Sequence, residues 1–148
     1  MRTSLSRFAA LATFIAAVVP SLAWAGEDWN TDYDAALKTA AADDEMVLLN
    51  FTGSDWCPPC KMLHSEILTQ EAFKEYADEN LVLVELDYPN SKAQSDELKK
   101  QNQELAETYG VEGYPTLVVL DSDGKEVKRE VGLAWRTPEE LISWISES

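Results

Sequence analysis

The chain alternates short apolar runs with stretches in which apolar residues recur every three or four positions. Tyr33, Ala36, Leu37 and Ala40 share one helical face, which predicts a helix over 32–42, capped by Asn30 or Thr31 and ended by Asp43-Asp44-Glu45. Met46-Val-Leu-Leu-Asn-Phe51 is a continuous apolar run beside a Gly53-Ser54 turn, so it reads as a strand buried on both faces. Residues 52–56 form a loop. Helix resumes near Pro59 and starts afresh at Thr69, giving two helical pieces up to Asn80. Leu81-Val-Leu-Val-Glu-Leu-Asp87 is the next strand. Strand, helix and strand within about 40 residues imply a right-handed parallel unit.

Further along, residues 91–109 are polar and helix-prone, with Leu98, Leu105 and Tyr109 as a sparse apolar stripe. Residues 116–121 and 125–131 read as two strands joined by a Ser122-Asp123-Gly124 hairpin turn. Thr137-Pro138-Glu139-Glu140 is a capping box with proline at the first helical position, opening a helix to about 147 whose buried face holds Leu141, Trp144 and Ile145. The order α-β-α-β-α-β-β-α predicts an α/β fold: a central mixed sheet of about four strands with helices on both faces.

The N-terminus reads differently. Arg2 and Arg7 precede an apolar stretch from Phe8 to Val19, Pro20 follows, and Ala23-Trp24-Ala25 places small residues where a signal peptidase cuts. Residues 1–25 are therefore expected to be a cleavable signal peptide and 26–148 one domain, periplasmic or secreted. The apolar stretch is too short to span a bilayer, so no membrane-embedded segment is expected.

Across 148 residues, 27 acidic side chains face 12 basic ones, a formal net charge of −15. Such a surface repels phosphate backbones, which argues against a nucleic-acid partner. Only two cysteines occur, three residues apart. They are too few for a disulfide-stapled scaffold and leave a redox pair or half of a metal site.

Trp56-Cys57-Pro58-Pro59-Cys60-Lys61 follows a buried strand and opens a helix. There the free backbone N–H groups and the dipole favour a thiolate. Cys57 is expected to be the exposed nucleophile and Cys60 the resolving thiol. Neither Pro58 nor Pro59 has an N–H, so the first amide able to reach the Cys57 sulfur is that of Cys60. Pro59 disfavours the helical conformation at Pro58, which would move the helix start to Pro59. Either start leaves a stiff loop, and both prolines are candidates for redox tuning.

Phe51-Thr-Gly-Ser-Asp-Trp-Cys-Pro-Pro-Cys60 resembles the exported single-domain branch of the thioredoxin-like proteins. Gly113-Tyr114-Pro115-Thr116 resembles that family's second signature, a cis-proline loop beside the active-site disulfide. The resemblance covers about residues 46–133. It implies a thioredoxin fold, thiol–disulfide exchange through Cys57 and Cys60, and substrate contacts at Trp56, Tyr114 and Pro115, where a peptide adds as an extra strand. Protein thiols and disulfides are the implied partners, with a membrane electron donor if the protein works as a reductase. A monomer is expected, and no organic cofactor, because the dithiol carries the two electrons.

The chain also departs from that family. Its buried proton-accepting aspartate is matched here by Asn50, which cannot take a proton and becomes a candidate for redox tuning. The first strand of the full fold is missing or reduced to a few residues near Trp29. A rival reading is a copper carrier using Cys57, Cys60 and Met62 or His64. Asp55 and Lys61 flank the site, as solvated loop charges or as modifiers of the thiolate.

Overall fold

A computed structural model describes residues 29–147. The expected signal peptide lies outside the described residues. Four strands, β1 (Met46–Thr52), β2 (Leu81–Asp87), β3 (Thr116–Leu120) and β4 (Glu126–Val131), form one sheet in the order β2-β1-β3-β4. β1 runs parallel to β2 and antiparallel to β3, and β4 closes the edge antiparallel to β3. The interior strands carry the continuous apolar runs because both their faces are covered. The edge strand β4 instead exposes Val127 and Val131.

Among the described residues five α-helices cover the sheet: α1 (Tyr33–Asp43), α2 (Pro58–Leu63), α3 (Glu71–Asn80), α4 (Asp96–Thr108) and α5 (Pro138–Ser146). Side chains of a strand alternate between faces, and the two cores follow that alternation. Val47, Leu49, Phe51, Val84 and Leu86 pack with Ala36 and Ala40 of α1 and Leu105 of α4. Leu48, Leu117 and Val119 face the other way, onto Leu63, Phe73 and Leu141 of α2, α3 and α5. The result is the expected mixed four-stranded sheet between two helical layers.

Several boundaries differ from the sequence reading. Asp32 caps α1, its Oδ1 accepting from the Ala35 N–H at 2.9 Å. Asn30 is committed elsewhere: it bridges in parallel to Val84, and its Nδ2 donates to the Leu83 carbonyl at 3.0 Å. That single bridge is what remains of a first strand near Trp29. α1 stops at Asp44, which takes a left-handed conformation (φ 57°) that aspartate tolerates.

Between α2 and α3 the chain makes a π-helical turn, His64–Leu68, closed by the Thr69 N–H on the His64 carbonyl at 3.1 Å. α4 starts at Asp96 rather than near Ser91, with Ser95 Oγ accepting from the Leu98 N–H at 3.1 Å. Trp135, 6% exposed, packs at the core boundary with its ring centroid 4.9 Å from that of Trp144.

Candidate active site

β1 ends at Thr52, four residues cross the top of the sheet, and Cys57 caps α2. Cys57 and Cys60 form a disulfide with Cα atoms 5.3 Å apart. The Cys60 N–H lies 3.4 Å from Cys57 Sγ, the donor that the two prolines leave available. The helix begins at Pro58, not Pro59: the Lys61 N–H closes the first turn on the Cys57 carbonyl at 3.1 Å, which outweighs the bias against Pro58.

Cys57 does not stand out into solvent as expected. It is 3% exposed, the same as Cys60, because as the helix cap its side chain folds back over the helix start. The exposed residue is Trp56, at 43%.

The second loop meets the first. The Tyr114–Pro115 peptide is cis and Pro115 is buried. The loop is held by the Gly132 N–H on the Pro115 carbonyl and by Thr116 Oγ1 on the Gly113 carbonyl, both at 2.7 Å. Tyr114 packs edge-on against Trp56, with ring centroids 5.8 Å apart, and against Tyr88 at 5.3 Å. Burial raises the hydroxyl pKa values of Tyr88 and Tyr114 above the ordinary tyrosine value, so both rings stay neutral. The sites predicted at Cys57, Cys60, Trp56, Tyr114 and Pro115 thus belong to the start of α2 and to the two loops that touch through Trp56 and Tyr114.

A clamp that the sequence did not reveal fixes the loop before Cys57. Trp56 Nε1 donates to the Tyr88 carbonyl at 2.8 Å. The Asp55 carboxylate accepts from the Asn90 and Ser91 N–H groups at 2.9 and 2.6 Å, and these bonds hold its pKa below the usual carboxylate value. Asp55 is therefore a loop anchor rather than a free solvated charge.

Ser54 donates from its N–H to Asp87 Oδ1 at 2.9 Å and from its hydroxyl to Asp87 Oδ2, while Lys92 Nζ reaches Ser54 Oγ at 2.8 Å. These bonds and that of Asn102 Nδ2 to the Asp87 carbonyl, at 3.1 Å, keep the segment before Ser95 out of α4. The one visible signal is Gly53. A Cβ there would lie 2.5 Å from the Trp56 ring.

Asn50 lies near the end of β1, 4% exposed, and its Oδ1 has no hydrogen-bond partner. Alternation puts it on the face of Leu48, the face α2 covers. Its register partner on β2 is Glu85, whose carboxyl pKa is raised by burial first and then by the charge of Asp87.

The residues named for a metal diverge. Met62 lines a cavity with Glu66, Leu133 and Trp135, whereas His64 lines another with Trp29, Phe73 and Leu83. Among the described residues no group of three or more His, Cys, Asp or Glu side chains could hold a metal ion.

Comparison with known proteins agrees with this architecture. The family model described as a thioredoxin-like domain matches residues 33–147. The chain is 39% identical over 108 residues to the disulfide bond reductase DsbH of Chlamydia pneumoniae, covering 73% of this chain and 64% of that protein. It is 27% identical over 110 residues to the thiol:disulfide interchange protein DsbD of Actinobacillus pleuropneumoniae, covering 74% of this chain and 17% of that protein. The match thus spans less than two thirds of the length of these curated relatives. Among solved structures, a DsbH oxidoreductase superposes with a TM-score of 0.74 at 32% identity, covering 96% of this chain and 93% of the other. This chain belongs to the thioredoxin-like family.

Proposed function

We propose that this protein is an exported thiol–disulfide oxidoreductase that works as a reductase on protein disulfides. The observation that carries the reading is the Cys57–Cys60 disulfide at the start of α2, with the neighbouring Trp56 packed on Tyr114 of the cis-proline loop. In the reduced form Cys57 attacks a substrate disulfide, and a mixed disulfide forms as the first substrate thiolate leaves. Cys60 then attacks Cys57, releases the second substrate thiol and closes the pair. Two electrons pass from the dithiol to the substrate, and no organic cofactor takes part.

In this reading Tyr114 and Pro115 present backbone to an extended substrate segment, and Trp56 forms the rim. Pro58, Pro59 and Asn50 set the thiol chemistry from beside and beneath. The similarity to a named disulfide bond reductase supports the reducing direction. A reductase outside the cytoplasm needs resupply, and the similarity to DsbD supports a membrane-borne thiol donor. Among the described residues no helix is long and apolar enough to cross a membrane. The functional unit is residues 26–148 after removal of the export segment, acting as a monomer.

Cys60→Ser tests the reading. It should accumulate mixed disulfides through Cys57 that dithiothreitol releases. A Cys60→Ser protein that traps no substrate, while the parent reduces no peptide disulfide, would overturn it.

A further inference from the structure

The resolving step requires Cys60 to lose a proton before it attacks, and the residue beneath α2 cannot accept one. Asn50 is an amide, buried, with its oxygen unpartnered. The nearest base in the sheet register is one strand away. Glu85 pairs with Asn50 across β1 and β2, and alternation puts both side chains on the face that α2 covers. Resting on the oxidoreductase reading above, we propose that Glu85 is the proton acceptor for Cys60, so that the base has moved from the central strand to its neighbour.

Its surroundings suit that task. Glu85 is half-buried, so it can exchange protons with solvent at its outer end and still face the sheet interior. The charged groups acting on it come from three elements: His64 at the end of α2, Asp87 on its own strand, and Lys92 in the loop after β2. Asn30, alongside, adds no charge and accepts the Glu85 N–H on its carbonyl at 2.9 Å. Burial and Asp87 raise the carboxyl pKa, and His64 and Lys92 oppose them. A base raised in this way is better matched to a thiol than an ordinary carboxylate is.

The step balances. Cys60 Sγ–H passes its proton to the Glu85 carboxylate, and the Cys60 thiolate attacks Cys57 Sγ. The bond from Cys57 to the substrate sulfur breaks, the substrate thiolate leaves and is protonated by solvent, and Glu85 returns its proton to solvent. Asn50, an amide, neither takes nor gives up a proton in this step.

Single-turnover stopped flow on the full protein with a fluorogenic peptide disulfide separates the two phases, the second being resolution by Cys60. Glu85→Gln should slow that second phase about tenfold at about pH 6, a modest share of what general bases supply. The difference should narrow as pH rises and the Cys60 thiol ionises without help from a base. Asn50→Asp in the Glu85→Gln background should restore the rate at acid pH. A superimposable pH profile, or a slowing equal at every pH, overturns the role of Glu85 while leaving the oxidoreductase reading intact. Absence of the first phase in the unaltered protein overturns that reading, and this proposal with it.

Discussion

The Cys60 N–H points at Cys57 Sγ across 3.4 Å, and the two intervening residues are prolines without an N–H to offer. A capping sulfur at a helix start ordinarily has more than one amide within reach. Here a single long hydrogen bond reaches the sulfur, so the two prolines limit the donors that a thiolate at Cys57 could meet.

Pro59→Ala restores one of the missing donors. A hydrogen bond to a charged sulfur should favour the thiolate of reduced Cys57 and so speed its alkylation by iodoacetamide at neutral pH several-fold. Alkylation rates of the reduced parent and variant check this, and an unchanged or slower rate would contradict it.

Gly53 and Trp56 are coupled by lack of space. A methyl group at residue 53 would lie 2.5 Å from the Trp56 ring, so Gly53→Ala must displace that ring from Tyr114 and from its bond to the Tyr88 carbonyl. Misplacement of a positioning group on this scale should lower kcat/KM for a peptide disulfide by about tenfold. The Cys57–Cys60 reduction potential should stay in place. Unaltered kcat/KM would show that Trp56 does not shape the substrate rim.

Ser54 and Asp87 hold the loop from below. Ser54→Ala removes the hydroxyl that donates to Asp87 Oδ2 and receives Lys92, leaving a buried carboxylate oxygen short of a partner. The expected cost is about 1–3 kcal/mol, read from the denaturation midpoint at constant m-value. A change within experimental error would mean that solvent replaces the bond.

Glu85 makes stability depend on pH in a fixed direction. Its folded pKa lies above the ordinary 4.5, raised chiefly by burial, so the folded chain binds its proton more tightly than the unfolded chain does. Its favourable contribution is complete below the unfolded value and is lost as pH rises through the folded one. Glu85→Gln should therefore match the parent in acid and exceed its melting temperature at neutral pH. Thermal melts across that range check the sign. A variant less stable at neutral pH than in acid, relative to the parent, would reverse it.

The parts of the fold governed by local pattern were legible in the residues. The interior strands show as apolar runs, the hairpin as Ser122-Asp123-Gly124, and the last helix as its capping box at Thr137. The paired cysteines and Tyr114-Pro115 were legible as well, because their chemistry is carried by residue type and spacing.

What escaped is set by contacts between distant segments. The π-helical turn at His64–Leu68 depends on how α2 and α3 both reach the same core. The late start of α4 depends on Asp55, Ser54 and Trp56 gripping residues more than thirty positions away. The burial of Cys57 follows from its acting as a cap, and the role of Glu85 follows from strand register. Which residue of β2 lies beside Asn50, and where the Cys57 side chain folds, depend on segments far apart in the chain.

Whether Cys57 and Cys60 form a redox couple poised to reduce is read from their equilibrium reduction potential in metal-free glutathione buffers. The pair should behave as a reversible two-electron couple near that of thioredoxin, about −270 mV. A potential close to that of a disulfide donor, about −120 mV, or failure of the two cysteines to close and reopen reversibly, would contradict it.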